Sequence, residues 1–194
     1  WLWRENLDRL PADTTVVASD LSHGMVKTAK EALGDDERFA FIAGDVQAIA
    51  FPESTFDVVV ANHMLYHVPD LDLGLSEVTR VLRRGGFLLA ATNGERHMAE
   101  LREALGDVSP YIKAFGLESG PPRVAEHFDD VAVERRPDIL QVTDAEAVVA
   151  YVASMSTIRE IDLAEMRTRV EEAIRADGSF PIHTDAGVIT AVKG

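Results

Sequence analysis

Short apolar runs alternate with amphipathic segments through the first half of the chain, at about 25 residues per repeat. Four runs rich in β-branched and aromatic residues predict short strands at residues 14–18, 39–43, 56–60 and 87–92. Apolar residues at helical spacing predict helices at residues 2–10, 22–33 and 72–82. Strands that alternate with helices are typical of βαβ units, so the sequence predicts an α/β fold with a parallel sheet.

The run at residues 56–60 predicts an inner strand buried on both faces, and a polar and aromatic cluster follows it: Asn62, His63, Tyr66 and His67. Ligands of open parallel sheets bind beyond the carboxyl ends of the strands, so chemistry is expected at this cluster. A neutral imidazole can act as a base near pH 7, which makes the cluster a candidate for moving a proton or orienting a ligand. The alternative for His67 is a hydrogen bond to nearby backbone at the start of a helix.

Two other predicted strands end in acidic residues, Asp20 and Asp45. A carboxylate at such a strand end can accept hydrogen bonds from both hydroxyls of a ribose, which makes Asp20 a candidate for holding a nucleotide. Asp45, with the backbone N–H of Val46, could recognise an adenine. Taken singly, each aspartate is equally typical of an ordinary turn or a helix cap.

The second half of the chain has a different pattern. Residues 95–128 predict helical or irregular structure that could cover a site, with Met98, Tyr111, Phe115 and His127 as candidates for contacting a substrate. Further elements are expected in order along the remaining chain: an edge strand at residues 131–142 interrupted by Pro137, a helix opened by a capping box at residues 143–146, a helix at residues 162–176, and a hairpin-like strand pair at residues 180–183 and 187–192.

Charge and composition exclude several classes of function. The chain of 194 residues has 33 acidic and 19 basic residues and a formal charge of −14, which opposes binding to nucleic acid and to anionic membranes. It contains no cysteine, so thiolate metal sites and disulfides are excluded, and the cytoplasm is the expected location. No metal-ligand spacing such as HExxH occurs, so no metal is expected. No apolar run approaches the about 20 residues of a membrane span.

Four strings occur in a consistent order over about 75 residues. They are Asp20-Leu21-Ser22 with Met25, then Gly44-Asp45-Val46, then residues 56–70 and then residues 80–86. Together they resemble the class I S-adenosylmethionine-dependent methyltransferases, in the small-molecule group that is similar to methyltransferase type 11. The resemblance implies a single Rossmann-like domain over residues 1–194, with a doubly wound, mostly parallel sheet, helices on both faces and an antiparallel last strand.

The resemblance also implies a cofactor, S-adenosylmethionine, and a small-molecule methyl acceptor. The cofactor-binding residues that it implies are Asp20, Leu21, Met25, Asp45, Val46, Asn62 and His63. In that scheme Asp20 holds the ribose, Asp45 and Val46 read the adenine, and Asn62 and His63 lie beside the methionine portion. Where the acceptor carries a proton, the candidate catalytic bases are His63, Tyr66 and His67.

The family's first strand and its glycine-rich loop have no counterpart before the helix at residues 2–10. We therefore expect that the chain lacks roughly 30 to 60 residues upstream of Trp1, within the usual length of one domain. Two alternatives stay open: a nicotinamide-dependent oxidoreductase, which would share the ribose-binding aspartate, and a degenerate methyltransferase-like subunit that binds a partner without catalysis. The sequence does not indicate an oligomeric state.

Overall fold

The computed structural model describes residues 2–34, 36–105, 115–154 and 163–194. The strands are β1 (Val16–Asp20), β2 (Phe39–Ala43), β3 (Phe56–Asn62), β4 (Leu82–Asn93), β5 (Asp129–Val142) and β6 (Phe180–Val192). The α-helices are α1 (His23–Leu33), α2 (Leu71–Val81), α3 (Ala99–Ala104), α4 (Gly120–Val124), α5 (Ala145–Ala153) and α6 (Leu163–Asp177). Short 3-10 helices occupy Arg4–Arg9, Val46–Ala48 and Leu65–His67. None of the described helices combines the length and the apolar character that a bilayer crossing requires.

The strands form two sheets. In the first, β1 and β2 pair in parallel, and in the second the order is β3, β4, β6, β5. Strands β3 and β4 are parallel, whereas β6 runs antiparallel to both of its neighbours. The predicted α/β class with parallel strands and an antiparallel last strand is therefore confirmed.

The predicted strand at 56–60 has a neighbour on one side only. Among the described residues β3 pairs with β4 alone, and the side chain of Val58 is 45% exposed. The prediction of an inner strand buried on both faces is therefore wrong for the described part of the chain. The strand is apolar partly because the side chains of Phe56 and Val59 pack against the main core.

The predicted hairpin near the carboxyl terminus is also wrong, because β6 is one continuous strand of 13 residues. It pairs with β5 from Phe180 to Val192, and its second half also pairs with β4. Gly187 lies within it, and a Cβ at this position would approach the carbonyl oxygen of Glu134 to 2.4 Å. The glycine thus permits close approach of two strands rather than a turn. Pro137 lies on the edge strand β5, as predicted.

Other boundaries differ locally. Strand β4 begins at Leu82, directly after α2, and so includes residues 83–86, earlier than the predicted strand at 87–92. The predicted amino-terminal helix is a short 3-10 helix. Helix α5 begins after Asp144, whose carboxylate accepts the N–H of Glu146 at 2.9 Å, and not after a capping box opened by Thr143. Part of the predicted helix at 162–176 lies outside the described residues, and α6 accounts for the rest.

The main core lies between helix α2 and the four-stranded sheet. Its fully buried side chains include Leu75, Val78, Leu82, Leu88 and Ile189. Leu75 and Val78 come from the predicted helix at 72–82, and their spacing places them on the face of α2 that meets the sheet. A second apolar cluster joins α3, α5 and α6 to the first half of β6.

Candidate active site

Asp20 and Asp45 lie at the same end of the two-stranded sheet. Asp20, the last residue of β1, pairs with Ala43 at the end of β2, and the N–H of Gly44 donates to the Asp20 carbonyl at 3.0 Å. The carboxylate of Asp20 is exposed, and its Oδ1 accepts the N–H of Ser22 at 2.8 Å. This hydrogen bond orients the carboxylate at the start of α1 and leaves lone pairs for a ligand.

Gln47 connects the end of β2 to the segment that follows β3. Its amide nitrogen donates to both oxygens of Asp45, at 3.2 and 3.1 Å, and its amide oxygen accepts the N–H of Asp70 at 2.9 Å. Asp45 also accepts the backbone N–H of Gln47 at 2.8 Å. Gln47 was not among the predicted site residues, because no local pattern reveals a side chain that contacts a residue 23 positions away.

The apolar candidates around the two aspartates differ in burial. Leu21 is 73% exposed and Met25 is 56% exposed, so both present apolar surface at the start of α1. Val46 is partly buried and packs against the main core. Exposed leucine and methionine side chains beside Asp20 form a surface that the flat face of an aromatic ring such as adenine could contact.

At the end of β3, Asn62 and His63 are both exposed. Asn62 pairs with Ala91 of β4, and the backbone N–H of His63 donates to the carbonyl of Ala91 at 2.9 Å. His63 has a φ of 48°, in the left-handed region that residues other than glycine rarely adopt. Backbone strain of this kind concentrates at functional sites, and here it turns the chain sharply at the end of the strand.

Tyr66 and His67 form an aromatic pair, with ring centroids 4.5 Å apart. Tyr66 packs against the main core, and its burial raises the pKa of the phenol. A raised pKa keeps Tyr66 protonated near neutral pH, so its hydroxyl suits hydrogen-bond donation better than proton abstraction. His67 is exposed and lies in the 3-10 helix before α2.

His97 was not among the predicted site residues, yet it lies four residues beyond the end of β4. Its Nδ1 accepts the backbone N–H of Asp185 at 3.0 Å. Burial chiefly lowers the pKa of His97, and the nearby imidazole of His63 adds to the effect. The imidazole is therefore held neutral with its proton on Nε2, as a hydrogen-bond donor. No local spacing predicts this residue, because its partner comes 88 positions later in the chain.

Asp185 is the second unpredicted group at this edge. Its Oδ1 is buried without a hydrogen-bond partner among the described residues, and its Oδ2 is 3.7 Å from a guanidinium nitrogen of Arg135. A Cβ added to Gly94 would clash with Asp185 Oδ2, so a larger residue there would require the Asp185 side chain to move. The ends of β3 and β4 thus carry two histidines and a largely buried carboxylate.

The described part of the predicted cover at 95–128 contains the helices α3 and α4, joined to turns and irregular segments. Phe115 is fully buried in the main core, so its aromatic ring serves packing. The sulfur of Met98 accepts the Tyr151 hydroxyl proton at 3.7 Å, and His127 lies against α2. Tyr111 lies outside the described residues.

A family model described as a methyltransferase domain matches residues 3–90. A demethylmenaquinone methyltransferase from Thermobifida fusca is 30% identical over 151 residues, which are 77% of this chain and 58% of that protein. The chain spans 26% to 58% of the length of the first relatives that it matches.

Two solved structures show the same fold. The YcgJ protein from Bacillus subtilis has a TM-score of 0.67 and 15% identity, over 93% of this chain and 82% of that one. A phosphoethanolamine N-methyltransferase 2 from Haemonchus contortus, solved with phosphomonomethylethanolamine and S-adenosylhomocysteine, has a TM-score of 0.59 and 19% identity, over 98% of this chain and 46% of that one.

These matches favour the predicted family over a nicotinamide-dependent oxidoreductase, whose only shared feature was the aspartate at the end of β1. The matched segment contains β1 to β3 and includes Asp20, Asp45 and Asn62. Residues 3–90 of this chain are therefore similar to a methyltransferase domain.

Proposed function

We propose that this protein transfers a methyl group from S-adenosylmethionine to a small molecule. The observation that carries the proposal is the arrangement of Asp20 and Asp45, which end two paired parallel strands on the same side. Two carboxylates at that position suit the ribose hydroxyls and the adenine amino group of a nucleoside cofactor. The match of residues 3–90 to a methyltransferase domain supports S-adenosylmethionine as that cofactor, and a structural relative was solved with S-adenosylhomocysteine.

In this proposal the cofactor lies across the ends of β1 to β3. Asp20 accepts the ribose hydroxyls, Asp45 and Val46 contact the adenine, and Asn62 and His63 contact the methionine portion. Leu21 and Met25 cover the adenine, which would remove their exposed apolar surface from water. Gln47 orients Asp45 through its hydrogen bonds.

The reaction is an in-line displacement in which the bond from methyl to sulfonium sulfur breaks as the bond to the acceptor atom forms. Most of the rate comes from holding the acceptor in line and from excluding water. Where the acceptor carries a proton, we propose His63 or His67 as the base. Tyr66, protonated because burial raises its pKa, then donates a hydrogen bond instead, and His97 does the same through Nε2.

We also propose that a further strand with a glycine-rich loop pairs between β1 and β3 and completes a single domain. Its support is that each of these strands has a hydrogen-bonded neighbour on one side only among the described residues, and that Val58 is exposed on β3. A cytoplasmic location stays a prediction.

Calorimetric titration of the full-length protein with S-adenosylmethionine and S-adenosylhomocysteine tests the proposed cofactor. We expect micromolar binding that Asp20→Ala weakens by at least about ten-fold, because the ribose loses a charged acceptor. Asp13→Ala removes an exposed aspartate before β1 and should bind normally. Absence of binding to either compound would favour the degenerate subunit instead.

A further inference from the structure

Helix α4 and the residues that follow it lie against one face of α2. Arg123 donates to the carboxylate of Asp72 at 2.7 Å, in the first turn of α2. One turn later, the Oγ of Ser76 lies 3.5 Å from Nδ1 of His127. Thr79 continues the same face and approaches the backbone carbonyl of His127 at 3.5 Å. His127 thus lies against α2, with its imidazole beside Ser76 and its backbone carbonyl beside Thr79.

The two nitrogens of His127 have different surroundings. Nδ1 faces Ser76, whose hydroxyl can accept its proton, and this arrangement leaves the lone pair on Nε2. Nε2 is buried and has no hydrogen-bond partner among the described residues. The nearest carboxylate oxygen, Asp72 Oδ1, is 3.7 Å away, which is too long for a hydrogen bond. With the ring proton on Nδ1, the buried Nε2 has a lone pair for a ligand, and it lies within ion-pair distance of the Asp72 carboxylate.

The charges around Nε2 favour a cation. Asp72 and Glu126 each contribute a carboxylate. A third carboxylate, that of Asp70, interacts electrostatically with Arg123, the cation beside them. Three carboxylates against one guanidinium leave a local excess of negative charge.

We propose that Asp72, Glu126 and His127 bind a divalent transition-metal ion, with Zn²⁺ as the best match. Each offers one ligand atom, and the three atoms lie within 4.8 Å of one another. Atoms bound to tetrahedral zinc at about 2.0–2.2 Å lie about 3.4 Å apart, so small side-chain adjustments would close the site. One imidazole nitrogen with two carboxylate oxygens suits zinc better than calcium or magnesium, which take oxygen ligands only.

The surrounding contacts match those of metal sites. A histidine ligand usually donates its second ring N–H to an acceptor, and Ser76 occupies that position. A carboxylate ligand is usually hydrogen-bonded in turn, as Asp72 is by Arg123. The ion would join the first turn of α2 to the residues after α4, which are more than 50 positions away in the sequence. Local spacing predicts no metal in this chain, because a site built from distant residues has no short sequence motif.

Titration of the metal-free protein with zinc chloride, followed by calorimetry, tests the proposal. We expect one ion per chain and a raised melting temperature, because an ion that binds only the folded state stabilises it. Glu126→Gln and His127→Gln should each weaken binding at least about ten-fold, and Ser76→Ala should weaken it by about ten-fold through the second ring nitrogen. His183→Gln and Glu134→Gln, which make the same chemical changes elsewhere, should leave binding unchanged.

X-ray absorption at the zinc edge should then show one imidazole and oxygen ligands. Glu126 is exposed, so Glu126→Gln should fold even if His127→Gln does not, and circular dichroism checks both. Absence of stoichiometric zinc binding would overturn the proposal. Zinc binding that persists in both Glu126→Gln and His127→Gln would equally overturn it, since the ion would then lie elsewhere.

Discussion

Single residues at the ends of the strands show how the environment sets a chemical role. His63 and His97 follow neighbouring parallel strands, but only His97 is half-buried and receives a backbone N–H on Nδ1. Tyr66 is partly buried in the core, which raises the pKa of its hydroxyl. The same residue types would be ordinary surface groups on another part of the molecule, so their roles depend on burial and on partners that are distant in sequence.

The first prediction concerns His97 and pH. The pKa of His97 in the folded protein is below its ordinary value, so between these two values the unfolded chain binds more protons than the folded chain. Folding stability should therefore fall as the pH drops below about 6.5. In His97→Gln, whose amide oxygen can still accept the Asp185 N–H, the loss of melting temperature from about pH 7.5 to about pH 5.5 should be smaller.

Thermal unfolding followed by circular dichroism at both pH values measures this difference. The pKa values of carboxylates such as Glu77 and Glu100 are also lowered in the folded protein, so these groups also reduce stability as the pH falls. Their effect lies below about pH 4.5 and therefore outside the pH range in which His97 titrates. An equal loss of melting temperature in His97→Gln and in the unmodified protein would contradict the prediction.

At the scale of elements, helix α2 connects the two sheets. Its Arg80 donates to the backbone carbonyls of Ile49 and Phe51, at 2.8 Å each, and Glu77 accepts the N–H of Ile49 at 2.9 Å. These bonds hold the segment after β2 against a helix whose opposite side packs into the main core. The position of Asp45 relative to the end of β3 therefore depends on α2.

The second prediction concerns the start of this helix. Asp70 caps α2, and its Oδ1 accepts the N–H of Leu73 at 3.0 Å. Asp70→Ala removes the acceptor and should lower the free energy of unfolding by about 1 kcal/mol, whereas Asp70→Asn keeps an acceptor and should cost much less. Urea denaturation of the three proteins measures the difference. If alanine and asparagine had the same effect, the cap would not be the cause.

At the scale of the whole molecule, the two sheets differ in burial. Within residues 2–34 and 36–50, Phe39 is the only buried residue, whereas α2, β4 and β6 contribute most of the main core. Segments with few buried apolar contacts open locally at low free energy. The sheet of β1 and β2, to which we propose that the cofactor binds, therefore has fewer buried apolar residues than the four-stranded sheet.

The third prediction follows from this difference and concerns amide hydrogen exchange. Amides of β1 and β2 should exchange at least about ten-fold faster than those of β4 and β6, since they open without disrupting the main core. Adding S-adenosylhomocysteine should slow exchange in β1 and β2 more than in β4 and β6, because the ligand binds only the closed form. Equal protection of all four strands in the free protein would contradict this expectation.

Local sequence was enough to predict the α/β class, the alternation of strands and helices up to β4, and the ends of β1, β2 and β3 to within two residues. These features depend on local periodicity and on residues such as Asp20 and Asn62 that directly follow apolar runs. The continuity of β6 was not predictable in this way, because residues around Gly187 look like a turn until β5 pairs with them on one side and β4 on the other.

Tertiary structure alone brought together the pairs His97 with Asp185, Gln47 with Asp70, and Asp72 with His127. Their members are 88, 23 and 55 positions apart, so no window of local sequence contains the periodic signal that would reveal them. Each contact exists because packing of the helices and sheets fixes two distant backbones within reach of a side chain. Local sequence thus specified which groups lie at the strand ends, and packing decided how those groups are charged, oriented and partnered.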